Sequence, residues 1–304
     1  MNEPVTVACI QAEPVILDRE ATIDRVAELT AEAAQAGAQL VLFPETFIPC
    51  YPSNRWVQRL AAGADEAARA TFARLVRESV EVPGPACDRL AAIAQQHGVW
   101  LAIGVNERAG GSLYNSLLLH APDGRLALHH RKLMPTNHER LVWGLGDGRG
   151  METVSAPFGR VGGLICWENL MPLPRAALYL AGLDVYLAPT ADDSESWQDS
   201  MRHIAREARC YVLTSCVFQR ASSHPAEVPI AEGPDLMDRG GAAILAPDGT
   251  YLAGPLYDEP GIVYATLDPD RLAADRQRFD PAGHYSRPDV FELVVRGPAS
   301  QPAG

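Results

Sequence analysis

Short apolar runs alternate with longer amphipathic stretches along almost the whole chain, the pattern of a mixed α/β protein. Val5–Ala12 reads as a buried strand. Arg19–Gln35 reads as a helix with Ile23, Val26, Leu29 and Ala33 on one face. Val41–Phe43 is again strand-like, and Ala62–Ser79 has helical spacing that Pro83-Gly84-Pro85 ends before a further helix, Cys87–His97. Val99–Asn106 is a strand, and Tyr114–His120 with Arg125–Arg131 predicts a hairpin about Pro122-Asp123-Gly124. Beyond it, Leu173–Ala181 and Trp197–Arg209 are helical, while Val185–Ala188 and Tyr211–Gln219 are strands. The stretches Ile48–Arg55 and Ser222–Gly240 read as loops.

A second Ala-Pro-Asp-Gly turn, at Ala246–Gly249, lies between apolar runs much as Ala121–Gly124 does, which points to two similar sheet halves. The competing explanation is that Pro-Asp-Gly simply suits a tight turn. No linker is long enough to divide the chain. The expectation is therefore one domain over residues 1–296, ending in an interface segment at about 270–296, with a disordered tail at 297–304.

Composition narrows the classes of partner. A formal net charge of −12 argues against nucleic acid and anionic membranes, both of which reward basic surfaces. No apolar stretch is long enough to span a bilayer, and the N-terminus lacks the pattern of a signal peptide. The six cysteines form no Cys-x-x-Cys pair and no disulfide framework, so they read as reduced thiols of a cytoplasmic protein.

Three runs end on chemistry. Gln39–Pro44 stops at Glu45, Leu126–Arg131 stops at Lys132, and Val161–Ile165 stops at Cys166. Taken singly, Glu45 also reads as a helix cap or surface carboxylate, Lys132 as part of a solvated basic run, and Cys166 as a core thiol. Taken together, they close separate strands at the edge where open α/β sheets place their sites. A free thiol near neutral pH is only a few per cent thiolate, and the thiolate is the nucleophile. An ammonium about 4 Å away contributes roughly 4 kcal/mol at an effective dielectric of about 20. That is enough to lower the thiol pKa by up to about 3, before burial opposes it. A nearby carboxylate accepts the thiol proton and returns it to the leaving nitrogen. The set needs no metal and no cofactor.

These blocks carry a resemblance. Phe43-Pro-Glu45, Arg131-Lys132-Leu-Met-Pro-Thr and Gly163-Leu-Ile-Cys166-Trp-Glu-Asn resemble the three catalytic blocks of the nitrilase superfamily, the carbon–nitrogen hydrolases. Trp167, Met171-Pro-Leu, Ala188-Pro-Thr-Ala, Trp197–Ala205 and Phe279–Val290 look like its nitrilase branch. The resemblance implies an α-β-β-α sandwich whose homodimers stack into eight layers and extend to larger oligomers or spirals. It assigns Cys166 as nucleophile, Glu45 as general base, Lys132 as charge stabiliser and Glu139 as a second glutamate orienting Lys132. The backbone N–H of Trp167 becomes an oxyanion donor, and Tyr51 lines the pocket. Cys50 departs from the small residue common at that position. The implied substrate is a small nitrile. Amidases and N-carbamoyl amide hydrolases share these residues, and a non-catalytic assembly protein of the same fold is a further alternative.

Other features are set aside. His129 and His130 are adjacent on a strand and face opposite ways, so with His120 and His138 they make a poor metal site. The glycine-rich Gly144–Gly150 lacks a phosphate-loop lysine and reads as an irregular loop near the site. Trp197, Met201, Ile204 and Ala208 have the spacing of a core or interface face.

Overall fold

A computed structural model describes residues 3–297. In chain order its elements are β1 (Val5–Gln11), α1 (Arg19–Gln35), β2 (Leu40–Leu42), α2 (Asn54–Val57), α3 (Glu66–Glu78), α4 (Pro85–His97), β3 (Trp100–Ala109), β4 (Ser112–His120) and β5 (Leu126–Arg131). There follow β6 (Val154–Ala156), β7 (Gly159–Gly163), α5 (Pro172–Leu180), β8 (Val185–Leu187), α6 (Glu195–Ala208), β9 (Tyr211–Thr214), β10 (Phe218–Arg220), β11 (Leu236–Leu245), β12 (Tyr251–Tyr257), β13 (Gly261–Leu267) and α7 (Pro269–Arg278).

The strands form a six-stranded sheet, ordered β13-β1-β2-β3-β4-β5, and a seven-stranded sheet, ordered β10-β11-β9-β8-β7-β6 with β12 also on β11. Their pairings match. Each sheet has an antiparallel edge strand, then three parallel strands, then an antiparallel hairpin. The two Ala-Pro-Asp-Gly turns match as well, closing with Gly124 at φ 84° and Gly249 at φ 83°, a left-handed conformation that glycine adopts without strain. The repeat is architectural.

Alternation along the strands builds the layers. Val7 and Cys9 of β1 face inward, with Leu40, Leu42, Leu117 and Leu119, against Val161, Val185, Leu187, Leu213 and Ile244 of the other sheet. Ala8 and Ile10 face outward and pack with Val41, Leu101 and Ile103 on Ile23 and Val26 of α1 and Leu90 and Ile93 of α4. On the opposite side, Tyr186, Val212 and Leu245 pack on Leu178 of α5 and on Trp197, Met201 and Ile204 of α6. The result is an α-β-β-α sandwich. A fourth cluster, including Tyr51, Trp56, Val142, Trp143 and Val217, gathers the loops at one end.

Two expected elements differ. The helix expected over Ala62–Ser79 begins only at Glu66, because Gly63 turns left-handed and Asp65 caps the helix by accepting from the Ala68 N–H. The strand expected over Tyr211–Gln219 is broken between Thr214 and Phe218, where the chain bridges sideways to Thr190. Part of each expected loop is ordered: α2 starts at Asn54, and β11 begins at Leu236. All six cysteines are buried and unpaired. Among the described residues no helix is long and apolar enough to cross a membrane. Apart from Gly297, the tail expected to be disordered lies outside the described residues.

Candidate active site

Glu45 and Lys132 leave β2 and β5 of one sheet, whereas Cys166 leaves β7 of the other. The three therefore meet at a common end of the sandwich and not along the edge of a single sheet. β2 and β3 are parallel, and two antiparallel steps return β5 to the same direction, so both first-sheet residues emerge at that end. Close approach helps to shape it. Gly104 of β3 lies so near Pro44 and Thr46 that a Cβ there would collide with their backbone.

All four candidate polar residues are brought together and buried. Lys132 Nζ donates to Glu45 Oε1 at 2.8 Å and to Glu139 Oε2 at 2.7 Å. The ligating atoms of Glu45, Glu139 and Cys166 all lie within 4.8 Å of one another. Such a set could cage a cation, but the ammonium of Lys132 already stands between the carboxylates. Glu139 is fixed by its backbone as well: it closes a capping box with Thr136, whose N–H it accepts at 2.6 Å. Tyr51 donates to Glu139 Oε1 at 2.9 Å. The Tyr51 hydroxyl thus supports the second glutamate, while its ring lines a small cavity beside Glu45 with Phe47, Val217 and Gln219.

Cys166 has φ 52°, a left-handed conformation at a non-glycine residue, directly at the start of a 3-10 turn over Cys166–Leu170. Its N–H donates to Pro189 O at 2.9 Å, and Asn169 Nδ2 donates to Cys166 O at 2.8 Å, which pins the turn from both sides. The N–H of Trp167 falls in the first turn, where no intrahelical acceptor exists. The Trp167 indole is 43% exposed and donates to Asp192 Oδ2 at 2.7 Å. Cys50 is buried in the loop cluster, and its carbonyl accepts from Asn106 Nδ2 at 2.8 Å.

The electrostatics depart from the simplest expectation. Burial, followed by the charge of Glu45, pushes the Cys166 thiol well above its ordinary value, and Lys132 and Thr190 only partly oppose them. Lys132 does not deliver a resting thiolate, because two carboxylates already compensate it. Burial disfavours the ammonium, yet the charges of Glu45 and Glu139 hold its pKa above the usual lysine range. Burial, aided by Glu139, raises Glu45 against the pull of Lys132. The resting site is a thiol whose proton is held tightly, beside an ammonium bonded to two carboxyl groups.

Sequence reading missed Asn115. It donates from Nδ2 to Glu45 Oε1 at 2.6 Å, so both that oxygen's partners are fixed, while Glu45 Oε2 is buried without one. Asn115 sits mid-strand in β4 with no motif around it, and only the sheet register brings it to Glu45. The four histidines disperse: His129 pairs with Glu107, His130 with Glu168, His120 lies against Cys87 and His138 against Tyr51. Gly146 of the glycine-rich loop packs closely on the backbone of Arg131 and Lys132, which places that loop at the site.

Comparison with known proteins agrees with this geometry. The carbon-nitrogen hydrolase family model matches residues 6–277. The chain is 46% identical to an aliphatic nitrilase of Sinorhizobium fredii over 95% of this chain and 94% of that protein. It is 43% identical to a bifunctional nitrilase/nitrile hydratase of Lupinus angustifolius, over 99% of this chain and 89% of the relative. Among solved structures, yeast Nit3 superposes with a TM-score of 0.72 at 20% identity, covering 93% of this chain and 97% of Nit3. An amidase from Nesterenkonia superposes at 0.69 and 21% identity, covering 91% and 96%. At those identities the structures speak for the fold, while the sequence relatives speak for the lineage. The chain belongs to the carbon-nitrogen hydrolases, within their nitrilase branch.

Proposed function

We propose that the protein hydrolyses an organic nitrile to the carboxylic acid and ammonia through a covalent intermediate on Cys166. The observation that carries this reading is the division of labour at Glu45. One oxygen is held by Lys132 and Asn115, the other is buried and unpartnered, and the carboxylate lies within 4.8 Å of the thiol. Glu45 Oε2 accepts the Cys166 proton as Sγ bonds to the nitrile carbon, and the proton passes to the nitrile nitrogen to give a thioimidate. Water adds across the C=N bond with one of its protons going to nitrogen, Glu45 relays the remaining hydroxyl proton to nitrogen, and the tetrahedral species expels ammonia to leave a thioester. A second water, deprotonated by Glu45, releases the acid and restores the thiol. Lys132 and the Trp167 N–H stabilise negative charge in the tetrahedral steps. Expulsion of the thiol in place of ammonia yields the amide instead. Glu139 and Tyr51 hold Lys132 in place.

The same residues suit an amidase, so substrate choice is the test. Acid, amide and ammonia are measured across aliphatic, aromatic and arylacetonitriles and their amides. Nitrile turnover supports the proposal, whereas rapid amide turnover with none of nitriles transfers the protein to the amidase reading.

The remaining expectations are proposals of the same kind. One hydrolase domain spans residues 1–296 and acts in the cytoplasm, in keeping with six unpaired buried thiols. The protein assembles as homodimers through α5 and the segment after α7. There Leu173 and Leu180 face Tyr285 and Phe291 across an apolar groove of about 510 Å³. Phe291 is 77% exposed in the single chain, an unusual position for so large an apolar side chain.

A further inference from the structure

A second buried ion pair stands behind the site. Glu168 lies two residues after Cys166 in the same 3-10 turn, wholly enclosed, and its carboxylate touches both halves of the catalytic apparatus. Its Oε2 accepts the N–H of Ile165 at 2.7 Å, the residue before the nucleophile. Its Oε1 accepts the N–H of Leu133 at 2.6 Å, the residue after the ammonium. Both oxygens lie 3.1 Å from His130 Nε2, two residues before Lys132.

The His130 ring is satisfied on its other side too, since Nδ1 lies 2.9 Å from the carbonyl of Arg149 in the glycine-rich loop. A carbonyl only accepts, so Nδ1 carries a hydrogen. Nε2 faces a carboxylate that already receives two backbone N–H groups, so a second ring hydrogen fits there. The doubly protonated imidazolium meets both demands, and both side chains of the pair are fully buried. Burial disfavours that charge, but Glu168 holds the His130 pKa above the ordinary histidine value, assisted by the Arg149 carbonyl and Asp147.

We infer that Glu168 and His130 are positioning residues: their ion pair bolts the Lys132 loop of one sheet to the Cys166 turn of the other. The physical reason is topological. Lys132 and Cys166 follow strands of different sheets, and among the described residues no backbone ladder of hydrogen bonds joins the two sheets to fix their separation. Hydrogen bonds cross between the sheets at β1 and β11, where Gln11 Oε1 accepts from the Gly241 and Ala242 N–H groups at 2.8 and 3.0 Å. They involve neither the Lys132 loop nor the Cys166 turn, whose separation packing alone would leave soft. A buried carboxylate bound to a backbone N–H on each side makes it rigid. Neither residue touches the reacting atoms.

This inference rests on the proposed Cys166 chemistry, but its test need not use a nitrile. Glu168→Gln keeps the shape yet sets an amide N–H against one of the two backbone donors and withdraws the charge from His130. His130→Gln leaves both backbone bonds to Glu168 intact. The variants are compared with the native protein by peptide-mapped iodoacetamide alkylation of Cys166 without substrate, by melting temperature, and by kcat and KM. Misplacement on the scale of 1 Å costs about a hundredfold in rate, so Glu168→Gln is expected to lower kcat and Cys166 alkylation by roughly that factor, with KM within about threefold. His130→Gln is expected to lose about tenfold in the same two rates. The inference is overturned if both variants keep kcat and alkylation within about threefold of native, or if rates fall only in proportion to the folded fraction. Should Glu168→Gln fail to fold, His130→Gln decides by the same criteria. A native protein that alkylates at Cys166 but turns over no nitrile refutes the proposed substrate and leaves this test standing.

Discussion

Lys132 is a wholly enclosed ammonium between Glu45 and Glu139, and its chemical and structural roles cannot be separated. Removing it strands two buried carboxylates. Lys132→Ala should therefore cost about 3–5 kcal/mol of folding stability as well as activity, read from urea denaturation. The raised Glu45 carries a different signature. Because burial and Glu139 lift it above the ordinary 4.5, the base is lost as pH falls through a value higher than that. The acid limb of kcat/KM should accordingly lie above pH 4.5, and a limb at or below it would mean that Glu45 is not the base. At this scale the sequence was legible where residue type and position coincide: a thiol, an ammonium and a carboxylate each closing an apolar run. It was illegible for Asn115, an asparagine in the middle of a strand, whose role exists only through register.

At the scale of elements, regular periodicity read well and boundaries set by single residues did not. Arg19–Gln35 is a helix over the whole expected range, because its apolar face recurs without interruption and Asp18 caps it. The start of α3 depends instead on Gly63 and Asp65, whose helix-ending and helix-starting roles compete with the surrounding alanines. The strand β5 that delivers Lys132 is anchored through its neighbour Arg131. Buried Glu107 on β3 accepts from Arg131, from Ser116 at 2.6 Å and lies 2.7 Å from the partly buried His129. Burial opposes its charge, but these partners draw its pKa from 4.5 down to about 2. A depressed carboxylate stabilises the fold above its unfolded pKa, and that contribution is lost as pH falls from 4.5 toward 2. Its size is about 3 kcal/mol. Glu107→Gln should lower stability at neutral pH and flatten the acid-induced loss in that window, seen by denaturation at a series of pH values. An unchanged acid profile would dissociate Glu107 from the stability of β5.

Over the whole molecule, the two sheets repeat one pairing pattern, and the twin Ala-Pro-Asp-Gly turns were its trace in the sequence. How the sheets face each other was not readable, because each strand's alternation is the same whichever layer it meets. That is why Glu45, Lys132 and Cys166 appeared to share one sheet edge when they span two sheets. The exposed apolar groove between α5 and the segment after α7 is expected to close against a second copy. Deleting residues 279–297 should convert dimers or larger species to monomers in gel filtration with light scattering. A native protein that is already monomeric would remove that surface from the assembly. The most direct test of the central claim is an acid quench during nitrile turnover, followed by peptide mapping by mass. We predict an acyl group on the peptide carrying Cys166, and neither adduct nor acid in Cys166→Ala. Turnover that persists in Cys166→Ala, or an adduct on any other residue, would contradict the account.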